Sequence, residues 1–266
     1  MRVLARLASL SDEDLGGRAS WRGKESDARY ALLHSTLEEE QGAAVRARLA
    51  YRGSEAQRIL GLAQIAYGDL RGLLAGVPAE LLDRAPREGE WSARQTLVHT
   101  TLVERSYRAN TAFALERSAD DPLTLPAERR PQPDPLDTAG DGSDVAVRLG
   151  ARRAETDADL ARIRDDQLTL PSAWGSHGAD VRIDVRFRLH RFASHLVEHT
   201  VQCERALEAA GLAFGDGRRV VRRISTARAM HERITPAEEL ARLDEEHLAR
   251  SEAHAAETRV TSKPRS

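Results

Sequence analysis

The 266-residue chain is long enough to bury a substantial core, and its formal net charge of -2 provides no global field to attract nucleic acid or an anionic membrane. Charged residues make up 31% of the sequence and aromatic residues 4%. Apolar residues recur at helical spacing, and alternating β-branched runs are almost absent outside 181–185. The sequence therefore predicts an all-α protein without a nucleic-acid or membrane partner.

The cysteine and lysine content narrows the cellular setting. Cys203 is the only cysteine, so no internal disulfide can form. No stretch approaches the ~18 apolar residues of a membrane span, and residues 1–10 are too short and too charged for a secretory core. We therefore expect a cytoplasmic protein. Lys24 and Lys263 are the only lysines, and this dominance of arginine, with abundant Ala and Gly, is typical of a GC-rich bacterial genome.

Helical periodicity predicts the first long helices, over 26–50 and 55–74. The next helix has a clear start, because Ser92 is followed three residues later by Gln95 in a capping-box pattern. We predict that this helix continues to about Arg117.

The second half of the predicted bundle follows a long connection. Residues 118–142 hold five prolines and a Gly-Asp-Gly run, so we predict a polar crossover without a core of its own. Periodicity then predicts helices over 143–166 and 185–210, the latter stopped by Gly211. Four helices with long first and second connections favour a four-helix bundle.

The whole chain divides into three predicted segments. These are an N-terminal helical extension over 1–50, the bundle over 51–213, and a C-terminal helical tail over 214–266. The tail contains a well-marked helix start at 235–238, where Thr-Pro-Ala-Glu provides the cap, a first-turn proline and a capping-box Glu. We expect this helix to dock on the bundle or on a partner subunit, and the latter would give a homodimer.

The N-terminal extension echoes a later segment. Matching residues in 10–50 and 163–211 are Asp12 with Asp165, Leu15 with Leu168, Trp21 with Trp174 and, after a four-residue shift, 27–30 with 184–187. In that register Glu38 falls on His195, so the first copy cannot bind a metal through the same residues. A degenerate partial repeat and a chance similarity between two Arg- and Ala-rich helices are both open.

Three histidines provide the main functional signal. His195 and His199 lie four residues apart, so one helix presents both imidazoles on neighbouring turns. His99 lies about two turns into the helix that Ser92 begins. Three neutral imidazoles from two packed helices would form an open divalent-metal site. A His-x-x-x-His pair alone is weak evidence, and ordinary core or surface histidines are the alternative.

Neighbouring residues have simpler alternative roles. Gln202 and Cys203 share a face with His199 and could support the ligands from behind, although a space-filling thiol is the simpler expectation for Cys203. Trp91 is expected to act as a hydrophobic staple before the Ser92 cap, with a substrate platform as the alternative. We expect solvated surfaces for three polar sets: His247 and His254, Glu38 to Glu40, and Arg218, Arg219, Arg222 and Arg223.

Two stretches resemble the DinB-like family. The first contains the short motifs 73–78, 84–86 and 89–92 that lead to His99, and the second runs from Phe187-Arg188-Leu189-His190 to His195, Glu198, His199 and Gln202. The likeness covers roughly 51–213. It implies a four-helix bundle with crossover connections and a divalent ion held by His99, His195 and His199.

The family also indicates a range of activities. Its members include thiol-dependent S-transferases, mycothiol-dependent maleylpyruvate isomerases and many proteins without a known reaction. The isomerase branch has a glutamate where this chain has His195. We hypothesise that a divalent metal, zinc or nickel, activates a thiol or water for transfer to, or hydrolysis of, a small-molecule substrate. Mycothiol is the first cosubstrate to test. The alternatives are a non-catalytic binding or stress-response module stabilised by metal, and a metal-free bundle.

Overall fold

Ten α-helices and two β-hairpins form most of residues 2–176 and 179–261, which are the residues that the computed structural model describes. The helices are α1 (Arg2–Ala8), α2 (Asp12–Gly16), α3 (Ser35–Ala50), α4 (Glu55–Leu74), α5 (Ala79–Asp83), α6 (Ala93–Glu116), α7 (Gly142–Asp159), α8 (Val185–Ala209), α9 (Asp216–Ala229) and α10 (Ala237–Thr261). The strands are β1 (Arg18–Trp21), β2 (Lys24–Asp27), β3 (Pro171–Ser176) and β4 (Ala179–Asp184). The predicted helical class is confirmed. In the described ranges, no helix combines the length and apolarity needed to cross a membrane.

The chain divides into two compact units. The terminal unit contains residues 1–51, 67–77 and 213–266, and the central unit contains 52–66 and 78–212. Residue 1 and residues 262–266 of the predicted terminal segments lie outside the described residues. Helix α4 contributes its first part to the central unit and its last part to the terminal unit.

In the central unit, α6 packs against both α7 and α8. The predicted capping box at the start of α6 is present, with Ser92 Oγ accepting from the Gln95 N–H at 3.2 Å and Gln95 Oε1 accepting from the Ser92 N–H at 2.8 Å. Between α6 and α7, the buried Arg153 guanidinium donates to Glu104 at 2.6 Å. These contacts fix the direction of α6 and thereby the position of residues along it.

The connection from α6 to α7 lacks α-helix, as expected for the predicted crossover. It contains 3₁₀ turns at Ala127–Arg129 and Pro135–Asp137. The fully buried Asp137 anchors the second turn by accepting from Arg105 at 2.6 Å and from Arg152 at 2.9 Å. An ionic anchor therefore replaces the apolar core that this proline-rich segment lacks.

Periodicity missed several local features. The hairpins β1–β2 and β3–β4 were not predicted, and neither was α9. The helix predicted over 26–50 begins instead with a π-helical segment, Arg29–His34, after β2. The helix predicted over 143–166 ends earlier, at Asp159.

The two echoing segments have the same order of elements: a short helical turn, a hairpin and a long helix. Two hydrogen bonds recur at matching places: Ala28 N–H to Gly17 O (2.8 Å) with Val185 N–H to Leu170 O (3.1 Å), and Tyr30 N–H to Asp27 Oδ1 (2.7 Å) with Phe187 N–H to Asp184 Oδ1 (2.8 Å). Thus Asp27 and Asp184 each begin a helix in the same way.

In the terminal unit, the last part of α4 lies backbone to backbone against α9. Ser225 Oγ donates to the Gly68 carbonyl at 2.7 Å. A Cβ added at Gly72 would lie 2.7 Å from Arg222 Cα, which is closer than side chains tolerate. The glycines at 68 and 72 therefore allow the two helices to approach at a distance that any larger residue would prevent.

The terminal unit also buries polar residues that we expected on solvated surfaces. Glu40 is 2% exposed, His247 2% and His254 6%, so the surface prediction is wrong for these three. In the basic run, Arg222 pairs with Asp69 at 2.7 Å. Periodicity identifies the faces of a helix but does not reveal ionic partners from distant segments. Such partners offset the energetic cost of burying a charged residue.

Glu40 is the centre of this buried set. Its Oε2 accepts from His231 Nε2 at 2.7 Å, and its Oε1 accepts from Arg228 at 3.0 Å. His247 Nδ1 lies 3.6 Å from the same Oε1. His247 Nε2 lies 3.1 Å from Glu39. We refer to Glu39, Glu40, Arg228, His231 and His247 as the terminal ionic network.

Candidate metal site

The three predicted ligands lie together in the central unit. His99 projects from the second turn of α6, and His195 and His199 project from successive turns of α8. His195 Nε2 lies 3.4 Å from His99 Nε2 and 2.9 Å from His199 Nε2. One ligand nitrogen from each ring lies within 4.8 Å of the others, which is close enough for the three side chains to hold one metal ion.

The surroundings favour the uncharged form of His195 and of His99. Burial, reinforced by the neighbouring His199, His99 and Arg191, lowers the pKa of His195 to about 3. Burial and His199 also lower the pKa of His99, although the carboxylate of Glu198 acts in the opposite direction. A neutral imidazole offers a lone pair, which is the form that binds a metal.

Gln202 orients one of the ligands. Its Oε1 lies 2.8 Å from His199 Nδ1. An N–H at Nδ1 would donate to this amide oxygen and leave Nε2 unprotonated toward the other two rings. Gln202 is therefore in the supporting position that the sequence analysis considered for it.

Cys203 has a different environment. It is fully buried, and burial raises the pKa of its thiol to about 12. Its Sγ lies 3.9 Å from the Ala93 carbonyl oxygen. A thiol with such a high pKa is not a reactive nucleophile, so the space-filling role fits its surroundings.

Aromatic side chains surround the histidines. The Trp91 ring lies 5.3 Å from the His99 ring, and the Trp91 side chain is 43% exposed. The Tyr107 ring lies edge-on to His195 with a centroid distance of 5.4 Å. Trp91 thus packs against His99, a candidate ligand in the second turn of α6. The part of Trp91 that remains exposed lies beside the site.

The geometry fits a divalent ion. Bonds of about 2.0 to 2.1 Å at tetrahedral angles place ligand nitrogens about 3.3 Å apart. Two of the separations, 3.4 and 2.9 Å, are close to this value, and the nitrogens of His99 and His199 lie within 4.8 Å of each other. Three nitrogen lone pairs that face one another repel unless a cation or a proton lies between them. The partial exposure of His99 leaves one side of the group accessible to a further ligand.

Sequence reasoning missed Tyr107, whose ring contacts His195, and Arg188, which lies on the same helix as His195. Arg188 precedes His195 by seven residues, and this spacing places both on one face of α8. The shared face of Arg188 and His195 could have been identified from the sequence. The contact of Tyr107 with His195 could not, because it joins residues 88 positions apart (195 − 107) on different helices.

Comparison with known proteins identifies the family of this chain. Residues 63–203 match the family model described as the DinB superfamily, which covers more than half of the chain and includes all three histidines. Neither the curated proteins nor the solved structures provided a match.

Proposed function

Since the chain belongs to the DinB superfamily, we propose that it binds a divalent metal through His99, His195 and His199 and uses it to activate a thiol or water. The reaction class is transfer of that nucleophile to an electrophile, or hydrolysis. The single observation that carries the proposal is the convergence of three ligand nitrogens within 4.8 Å of one another.

The chemistry follows from the donor set. Three neutral imidazoles leave the full charge of a divalent cation uncompensated, and such an ion, when bound, lowers the pKa of a coordinating thiol or water toward neutrality. Zinc and nickel both accept nitrogen ligands in this number and are the ions we propose.

The chain's own residues provide position and access. Gln202 holds the His199 ring in the orientation that faces the other ligands. Tyr107 and Trp91 contact His195 and His99, and thereby restrict the rotation of both rings.

The proposal is tested with untagged protein loaded with zinc or nickel. Elemental analysis should find about one equivalent of metal per chain. Conjugation of an activated chloroarene to a bacterial thiol, with mycothiol tested first, should stop when a chelator is added and resume when metal is restored. Retention of less than about a tenth of an equivalent after loading would overturn the metal site.

A second outcome separates catalysis from a structural role. Loss of thermal stability on chelation, with no conjugation or hydrolysis by the loaded protein, would favour the non-catalytic alternative. His190→Ala is a suitable control, because His190 is on the same helix but exposed. It should retain metal and activity.

A further inference from the structure

A cavity of about 640 Å³ lies in the central unit. Its walls come from α6, the crossover, β3 and α8, and include Tyr107, Arg130, Trp174 and Arg188. Tyr107 belongs to both places, since it lines the cavity and its ring contacts His195. Tyr107 therefore connects the cavity wall to the histidine group, although none of the three histidines lines the cavity.

Arg188 is the unusual member of the cavity wall. Its side chain is 4% exposed, and it donates from Nε to Ser172 Oγ at 2.5 Å and from Nη2 to the Ala173 carbonyl. Its Nη1 donates to no residue in the described ranges, and no described carboxylate pairs with it. Burial lowers its pKa to about 10, so it is still charged at neutral pH.

Other charges at the cavity are already balanced or add to the positive potential. Arg105 pairs with Asp137, and Asp134 pairs with Arg152 at 2.5 Å. Arg130 is exposed at the rim and forms no ion pair with a described residue. Burying a cation without a counter-ion is costly, and an anion that binds from the cavity would remove that cost.

The cavity also has a flat aromatic wall. The Trp174 ring lies 5.2 Å from Tyr107 and 5.7 Å from Phe187. The guanidinium carbon of Arg188 lies 5.9 Å from the Trp174 ring. Planar apolar surface and a buried guanidinium therefore occur side by side, which is a pattern suited to a flat molecule with one anionic end.

We propose that this cavity binds a small organic carboxylate, with its carboxylate on Nη1 of Arg188 and its apolar body against Trp174. Arg188 and His195 are seven residues apart on one face of α8, which is about 10 Å along the helix. A bound carboxylate of that length would direct its other end toward the histidines. This orientation rests on the proposed function, whereas the binding itself does not.

The test uses benzoate and its neutral analogue benzamide, titrated calorimetrically into the full-length, metal-free protein. Benzoate should bind at one site per chain and at least about tenfold more tightly than benzamide, because only the acid can pair with Arg188. Inorganic phosphate should compete at least about tenfold more weakly than benzoate, because it lacks an apolar body.

Two variants locate the site. Arg188→Met should weaken benzoate binding at least about tenfold and leave benzamide unchanged. Trp174→Leu, which leaves the hydrogen bonds of Arg188 to β3 in place, should weaken both ligands. Arg162→Met, a change of an exposed arginine outside the cavity, is the matched control and should bind as the parent does.

Three results would overturn the inference: equal binding of benzoate and benzamide, equal competition by phosphate, or unchanged benzoate binding by a folded Arg188→Met. The comparison of benzoate with benzamide and phosphate on the unsubstituted protein decides the question even if Arg188→Met fails to fold. Repeating the titration with metal-loaded protein separates the two proposals. If the protein prefers benzoate over benzamide but holds no metal, the carboxylate site stands and the proposed function fails. If it holds metal but does not prefer benzoate, the proposed function stands and the carboxylate site fails.

Discussion

Each unit of this protein buries histidines, but the two groups differ in their counter-charges. In the central unit, the Nε2 atoms of His99 and His199 both lie near Nε2 of His195, and no carboxylate of the described residues belongs to this group. In the terminal unit, His231 and His247 each contact a glutamate, and Arg228 completes the charge balance. Histidines that already contact a carboxylate have no need of a cation, whereas mutually facing nitrogens do.

The matching element order makes this difference more informative. A π-helical segment holds one residue more than the corresponding α-helical turn. Counting that residue as an insertion in Arg29–His34 shifts the register by one and places Glu39, rather than Glu38, on His195. Glu39 contacts His247 of α10, just as His195 contacts His99 of α6. At this matching position, a glutamate gives a contact between a carboxylate and an imidazole, whereas a histidine gives two candidate metal ligands.

The largest effect is expected when the terminal ionic network is broken. Glu40→Gln removes a buried carboxylate and leaves the partly buried Arg228 with Asp244 as its remaining carboxylate partner, and should lower the free energy of unfolding by about 3 kcal/mol or more. Chemical denaturation followed by far-UV circular dichroism measures this. Glu38→Gln is the control, because Glu38 is exposed and forms only a 3.5 Å ion pair with Arg22. Equal stability of the two variants would show that the network contributes nothing.

The next effect concerns the histidines of the central unit. His99→Ala should weaken metal binding by at least about 100-fold, because one of three ligands is lost. His247→Ala should leave metal affinity unchanged, although it destabilises the terminal unit. Competition with a chromophoric chelator measures both. A parallel loss of metal in the two variants would contradict the distinction between the two groups.

A smaller loss should follow from removing the support of His199. Gln202→Leu keeps the volume but removes the oxygen that lies 2.8 Å from Nδ1, and should weaken metal binding about tenfold. Gln41→Leu, at an exposed position, is the matched control. If the affinity is unaltered in Gln202→Leu, another contact must fix the ring.

The smallest effect is a dependence of stability on pH that arises in the terminal unit. Burial lowers the pKa of His247 from its ordinary 6.5, despite the opposing charges of Glu40 and Glu39. The unfolded chain therefore binds a proton below about pH 6.5 that the folded chain does not, so stability declines as the pH falls. His247→Gln should flatten this decline between pH 7 and pH 5.

Glu40 adds to the decline at lower pH. Burial raises its pKa, but the hydrogen bond from His231 and the charge of Arg228 outweigh burial and hold the pKa below 4.5. Its contribution is present above pH 4.5 and is lost as the pH falls through the lower folded-state value. Thermal melting at a series of pH values measures both parts. A profile that is identical in the parent and in His247→Gln would contradict the assignment.

The sequence predicted local features well. The start of α6 at Ser92 and the span of α4 follow from capping chemistry and periodicity, which act within a few residues. The grouping of His99 with His195 and His199 came from their spacing and from the family resemblance. The geometry now places them together, and metal binding itself stays a prediction.

Features that depend on distant residues were out of reach. Glu40 and His231 are 191 residues apart, so neither sequence neighbourhood marks them as buried. The same holds for Arg188, whose hydrogen bonds to the hairpin and whose lack of a carboxylate partner are properties of the folded chain. The hairpin strands are only four to six residues long and have little apolar alternation to reveal them.

The close contact made by Gly68 and Gly72 has a consequence for comparing relatives of this protein. Position 72 excludes a Cβ because α9 lies against it, yet α9 begins at Asp216, beyond the matched family region of 63–203. Superfamily members without such a helix are free to carry any helix-forming residue at these two positions. A glycine pair four residues apart in the first family helix should therefore serve as a marker, in an alignment, of chains that possess the additional C-terminal helix.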